Sequence, residues 1–410
     1  MNLKRLLIDV ATVMLVLATL FFSTSIRGMT GLTNRFLFLY IVAVAIIYLP
    51  SITRAILKPD HRLVLFVLIT CVILFLFKLT IGQAYLKEIF GFILYPLLLY
   101  LVFEQVDMNS RRIIRSTVIW FFIIECVIAI IERVLKVNFF AHVILEEMIE
   151  FYNTGEAFAF RSTAFFGNPL RNAFIVSTGM AFIAIDKSIS VRNRLLLVLL
   201  GFVALLCFNG RGSILIVSFT VLPYILVEYY KEHHFNIFAF SLSVIAILVT
   251  WWLLTTTSMG GRLFHGDLID GSTEARILAL SFRDHISFWE FLTGSPELYD
   301  RVRIALDTNG VENGVICWIL NYGVVFTILI LPVLAAFHWQ KLGVYPRKLD
   351  RWLVMAVFYL IGVTNPNLAQ QPGWTYWILF YFAFSPGAYI PKPKLSAEDY
   401  LRRRYRSIAG

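Results

Sequence analysis

Charge is scarce in this chain. Of its 410 residues only 15% are Asp, Glu, Lys or Arg, and 59% are hydrophobic. Soluble domains carry about 25% charged residues, so a water-facing surface of ordinary size is excluded. There are only four cysteines, Cys71, Cys126, Cys207 and Cys317, all inside apolar runs at unrelated spacings. That pattern speaks against a disulfide framework or a thiolate metal site and for small hydrophobes packed in helices. No Gly/Ser-rich or Pro-rich linker divides the chain, no internal repeat is visible, and one domain over 1–410 is the simplest organisation. No small-x-small cleavage site follows the apolar run from Ile8 to Ile26, so it is expected to remain as a span and not to be removed. The formal charge of +10 is no nucleic-acid signal, because much of it sits in short loops between apolar runs.

What the chain has in excess is apolar blocks of membrane-spanning length. Mean hydropathy is +0.76, and blocks of about 20 residues match a hydrocarbon core crossed as a helix. The pattern predicts an all-α polytopic membrane protein with about twelve transmembrane helices. The expected spans are 6–26, 36–56, 63–81, 86–103, 113–131, 168–185, 195–208, 213–230, 235–256, 313–337, 352–363 and 374–390. The eleventh is short, being interrupted by Asn365 and Pro366. Lys and Arg gather in alternate loops: Lys4/Arg5, Arg54/Lys58/Arg62, Arg111/Arg112/Arg115, Lys187/Arg192/Arg194, Lys231, Lys341/Arg347/Lys348/Arg351, and a tail with Lys392, Lys394 and Arg402–Arg406. The positive-inside rule then puts both termini in the cytoplasm. It leaves two long segments outside, 132–167 and 257–312, the second a large outer loop between helices 9 and 10, and it also places the Phe208–Ser213 turn outside.

The outer segments hold the candidate chemistry. Asn168-Pro169 reads as a helix N-cap followed by a first-turn proline, with Arg161 just before it and Arg171 in its first turn. Cations at a helix N-terminus are unfavourable unless an anion is shared; contact with lipid headgroups or acidic loop residues is the plainer alternative. Arg211 lies between two glycines, which permit a sharp turn and close approach of a ligand, or simply a tight turn with a snorkelling arginine. Within Ser258–Asn313, an interfacial helix is expected near 273–293, ended by Gly294 and Pro296. Leu278, Phe282, His285, Trp289 and Leu292 would share its apolar face, so His285 is read as packing. Arg276 and Arg283 would share another face about 10 Å apart, a spacing suited to phosphate oxygens or to lipid headgroups. Glu312-Asn313 stand at the mouth of the tenth span, Glu312 as a general base or as an ion-pair partner of Arg301 or Arg303. Inside the membrane, Lys78 and Glu125 are expected to pair with each other.

Three of these motifs, FRSTAFFGNPLRNAF, FNGRGSIL and the late loop from Arg276 through Arg283 to Gly294, resemble the O-antigen ligase/polymerase superfamily of bacterial cell-envelope enzymes. Arg283 and Gly294 match the RX10G spacing of its polymerases, and Glu312 stands where its ligases usually carry a histidine. The resemblance implies an inner-membrane glycosyltransferase that uses a polyprenyl-diphosphate-linked oligosaccharide and needs no metal or other cofactor. Such an enzyme joins repeat units into a surface polysaccharide, with a chain-length regulator and a flippase as further partners. Under it Arg276, Arg283 and Glu312 are the catalytic candidates, and Arg161, Arg171, Arg211 and Asn313 bind substrate. The outer segments have no Asp-x-Asp pair of the kind that holds a divalent ion. A ligase moving finished glycan to lipid A core or protein is the alternative within the family. A transporter would instead need mid-membrane polar groups, broken helices and repeat symmetry. A purely structural membrane subunit would leave the outer arginines without a task.

Overall fold

Helices are the only regular elements among the residues that the computed structural model describes, which are 3–21, 34–81, 93–140, 160–233, 280–306, 311, 313–369 and 371–386. In chain order they are α1 (Leu3–Phe21), α2 (Asn34–Ile47), α3 (Leu49–Ile56), α4 (Arg62–Thr80), α5 (Tyr95–Glu104), α6 (Met108–Leu135), α7 (Pro169–Ile185), α8 (Val191–Phe208), α9 (Arg211–Phe219) and α10 (Val221–His233). Within the large loop lie α11 (Phe288–Thr293) and α12 (Pro296–Ala305), and after it come α13 (Gly314–Tyr322), α14 (Val324–Lys341), α15 (Lys348–Val363) and α16 (Gln371–Phe384).

Four described helices are long and apolar enough to cross a membrane: Pro59–Thr80, Val191–Phe208, Arg211–Glu232 and Val324–Val344. A bent pair, Phe36–Ile47 with Leu49–Ile56, turns through 81° and makes a fifth if taken as one span. Outward faces of α4 and α14 expose Ile69, Val72, Ile73, Leu76, Ile328 and Leu329, an apolar surface suited to lipid. The expected span 235–256, the tail, and about half of each outer segment lie outside the described residues. The expected tenth span is broken: Gly323 at φ +84° separates α13 from α14.

The centre is α6, α7, α8 and α16. A β-carbon placed on Gly201 of α8 would lie 2.7 Å from Met180 Cγ and 2.9 Å from Phe122 Cζ. One on Gly179 of α7 would lie 3.0 Å from Phe122 and from Phe380. Small residues at these two crossings let the helices approach closely, as membrane helices do.

Polar side chains gather at two ends of the bundle. At one end Arg115 meets Asp186 at 2.7 Å, Arg347 meets Glu228 at 2.8 Å, and Tyr224 donates to Asp350 at 2.7 Å. Lys187 also pairs with Glu228, and His61, Tyr100 and Lys341 gather on Glu104. Burial pushes the Asp186 carboxyl up, while Arg115, the Ser188 bonds and Arg194 pull it back. Of the alternate basic loops, Arg115, Lys187, Arg194, Lys231, Lys341 and Arg347 make ion pairs at this end.

The other end contains Lys78, and here the expected Lys78–Glu125 pair is corrected. Lys78 is buried and donates to the carbonyls of Thr293 and Gly294. Glu125 accepts from Phe165 N at 3.4 Å instead. An ammonium at the last carbonyls of a helix satisfies groups that have no intrahelical donor, so Lys78 ties α11 to the end of α4.

The interfacial helix expected near 273–293 is also corrected over its described part. A 3₁₀ turn, Ser281–His285, is followed by extended backbone at Ile286, and α11 starts afresh. Ser287 forms a capping box with Glu290, Ser287 Oγ accepting from Glu290 N at 3.2 Å and Glu290 accepting from Ser287 N at 2.8 Å. A reciprocal cap starts a helix and prevents its continuation through residue 287. His285 and Trp289 are exposed, so they are not a packing face; Ile286 is buried in their place. Gly294 ends α11 as expected, and Ser295 caps α12, which Pro296 opens.

Candidate functional site

Three helix N-termini meet one turn at the Lys78 end of the bundle. Asn168 caps α7: its Oδ1 accepts from Leu170 N at 3.0 Å and Arg171 N at 3.1 Å, with Pro169 following. Asn313 caps α13 in the same way, accepting from Val315 N at 3.0 Å and Ile316 N at 3.1 Å. Gly210 stands at the N-terminus of α9 with no side-chain cap. All three pack on the segment from Gly362 to Leu368. Asn367 Nδ2 donates to Leu170 O at 3.2 Å. A β-carbon on Gly212 would lie 3.3 Å from Thr364 Oγ1, and one on Gly314 would lie 2.3 Å from Gly362 O and 2.9 Å from Asn365 O. Glycine at 212 and 314 is what lets two first turns approach this segment.

The arginines of the outer turns come with these termini. Arg211 is the first residue of α9 and Arg171 the third of α7, both partly exposed. Arg161, 8% exposed, donates from Nε to Phe208 O at 3.1 Å, which joins the 160–168 segment to the end of α8. Each of the three takes part in further interactions as well. A helix N-terminus carries about half a positive charge. Three of them beside three guanidiniums make a region whose chemistry favours an anion with several oxygens.

Beneath the region lies a buried polar layer. Glu132 accepts from Thr163 N and Ala164 N at 2.8 Å and from Phe139 N at 2.9 Å. Ser162 Oγ donates to Ala129 O at 2.7 Å, Ser162 N to Cys207 O at 3.1 Å, and Asn172 Nδ2 to Thr163 O. Asn209, at φ +53° and 1% exposed, has no hydrogen-bond partner for either side-chain polar atom among the described residues.

Of the residues expected from sequence, Arg161, Arg171, Arg211 and Asn313 are brought to one end. Arg276 and Glu312 lie outside the described residues. Arg283 is exposed, donates to Ile286 O at 2.7 Å and covers the Phe291 ring at 5.1 Å; its described contacts do not reach α7 or α9. Neither suggested partner of Glu312 is unengaged, since Arg301 meets Glu290 at 2.6 Å and Arg303 meets Asp300 at 3.7 Å. Sequence reasoning missed Glu132, Asn172, Asn209 and the Asn365/Asn367 turn. Asn209 had a signal, standing beside Gly210-Arg211; Glu132 had none, because its partners are backbone amides. No protein-family model matches the chain, and no curated protein matches it.

Proposed function

We propose that the chain is a membrane polymerase that transfers a sugar chain from a polyprenyl diphosphate to an acceptor hydroxyl on another lipid-linked repeat unit. The observation that carries this reading is the convergence of three helix N-termini and three arginines at one end of an apolar helical bundle. Loss of a lipid diphosphate leaves two phosphates with growing negative charge, and preorganised guanidiniums and backbone N–H groups stabilise it. Arg161, Arg171, Arg211 and the N-termini capped by Asn168 and Asn313 are assigned to that diphosphate. Arg276 is assigned to it from the loop, Arg283 is left to its contacts with Ile286 and Phe291, and Glu312 is assigned to removal of the acceptor proton. Under this reading the chain crosses the bacterial inner membrane twelve times with both termini cytoplasmic, and the site faces outward. A chain-length regulator and a flippase are the partners such an enzyme would meet.

Purified protein in proteoliposomes with a lipid-linked repeat unit tests the reading, with glycan length as the readout. Polymer growth is expected. Transfer of preformed polymer to a lipid A core or protein acceptor, without growth, would make it a ligase. Movement of the substrate across the bilayer with no transfer would overturn both.

A further inference from the structure

Residues 160–166 form a strap over α6, and α6 holds it by carboxylates. Glu132 is fully buried, and its two oxygens take three backbone N–H bonds: Oε2 from Thr163 and Ala164 at 2.8 Å, Oε1 from Phe139 at 2.9 Å. The strap is also tied at Ala129 O through Ser162 Oγ, at Cys207 O through Ser162 N, and at its start, where Arg133 donates to Phe160 O. Ala164 is left-handed at φ +37°, a conformation that alanine keeps only where surrounding bonds over-determine it. Two successive N–H groups aimed at one acceptor make a nest; here the acceptor is the protein's own Glu132 carboxyl group. Arg161 lies directly upstream of this nest, its Nε turned to Phe208 O at 3.1 Å.

We propose that Glu132 is a positioning residue: by holding the Thr163–Ala164 nest it sets where the Arg161 guanidinium stands at the candidate site. This rests on the reading that Arg161 meets the diphosphate. The role needs a carboxylate. An amide at 132 has one oxygen for three donors, and its own NH₂ would face at least one backbone N–H. The strap would then shift, and a displacement of about 1 Å at a reacting centre can cost about 100-fold in rate.

The test is the polymer-growth assay, rates divided by folded protein, on wild type, Glu132→Gln, Arg161→Ala and the double variant. Glu132→Gln is expected to lower kcat by about 10–100-fold and to shift KM by less than about 3-fold, the pattern of a contact made in the transition state. The double variant is expected to be no slower than Arg161→Ala alone, because residues acting through one another are not additive. Glu132→Asp, which keeps the charge on a shorter stem, is expected to recover part of the rate. Multiplying losses in the double variant, or a normal kcat for folded Glu132→Gln, would overturn the inference while leaving the functional reading intact. An inactive wild type, or an Arg161→Ala variant at full rate, would overturn the reading and the inference with it.

Discussion

Alanine at Gly323 tests how the large loop is fastened to the bundle. Gly323 and Gly294 touch backbone to backbone: a β-carbon on Gly323 would lie 2.1 Å from Leu292 O, and one on Gly294 would lie 2.2 Å from Gly323 N. Both glycines are at positive φ, +84° and +62°. No side chain can move aside here, so α11 must lift by about 1 Å to restore the van der Waals separation of about 3.2 Å. The lift would break the Ser295 N bond to Leu320 O, now 2.7 Å, and pull Thr293 O and Gly294 O from Lys78. At φ +84° and ψ +158° alanine is in a region essentially reserved for glycine, at a cost of about 1–3 kcal/mol; one neutral hydrogen bond adds about 1 kcal/mol, and bonds to a charged group about 1.5–3 kcal/mol. The sum is roughly 3–7 kcal/mol, a fall in Tm on the order of 5 °C or more. Gly343→Ala is the internal control, since a β-carbon there meets nothing within 4 Å. Thermal unfolding of the detergent-solubilised variants checks it. Equal Tm values for Gly323→Ala and Gly343→Ala would refute the reasoning.

Two other predictions concern charges. Lys78 and Glu125 serve different segments, so the stability losses of Lys78→Met and Glu125→Gln are expected to add within about 0.5 kcal/mol in a double-mutant cycle; a coupling above about 1 kcal/mol would restore the direct pair. Glu290 is held below the usual carboxylate range, first by the bond from Ser287 N, against some burial, and then by Arg301. Because the folded value is depressed, its contribution is complete above the unfolded value of about 4.3 and is lost as pH falls through the lower folded value. Protease resistance of 280–306 should therefore weaken between about pH 4.3 and the lower folded value, and Glu290→Gln should remove that dependence while lowering resistance at neutral pH.

Helix starts and stops were the most legible part of this molecule. Asn168-Pro169, Asn313 and Gly294 act locally as their chemistry requires, because a cap depends on neighbours two or three residues away. The break at Ser287 was also written locally, as Ser-x-x-Glu, but the helical spacing of Phe282, His285, Trp289 and Leu292 pointed to a continuous helix. Periodicity records which residues share a face only if the helix is unbroken. The partners of Lys78 are not legible in the sequence because they are carbonyls, which every residue carries, whereas Glu125 is the visible opposite charge. The same reason hid Glu132. The meeting of Leu170, Gly212 and Gly314 with Gly362–Leu368 joins residues up to 197 positions apart, and no short-range pattern encodes it. What the sequence did show was that Arg161, Arg171 and Arg211 lay in turns of one side, a matter of alternation along the chain.

The central claim is where the diphosphate binds, and photocrosslinking measures it most directly. A polyprenyl diphosphate carrying a photoreactive group beside its phosphates would be irradiated with the reconstituted protein and the adducts mapped by peptide. Adducts are expected at Arg161–Arg171, Asn209–Ser213 or Asn313–Ile316, and excess inorganic pyrophosphate should reduce them. Adducts confined to the opposite end, around Arg115, Lys187 and Arg347, or scattered along the outward faces of α4 and α14, would contradict it.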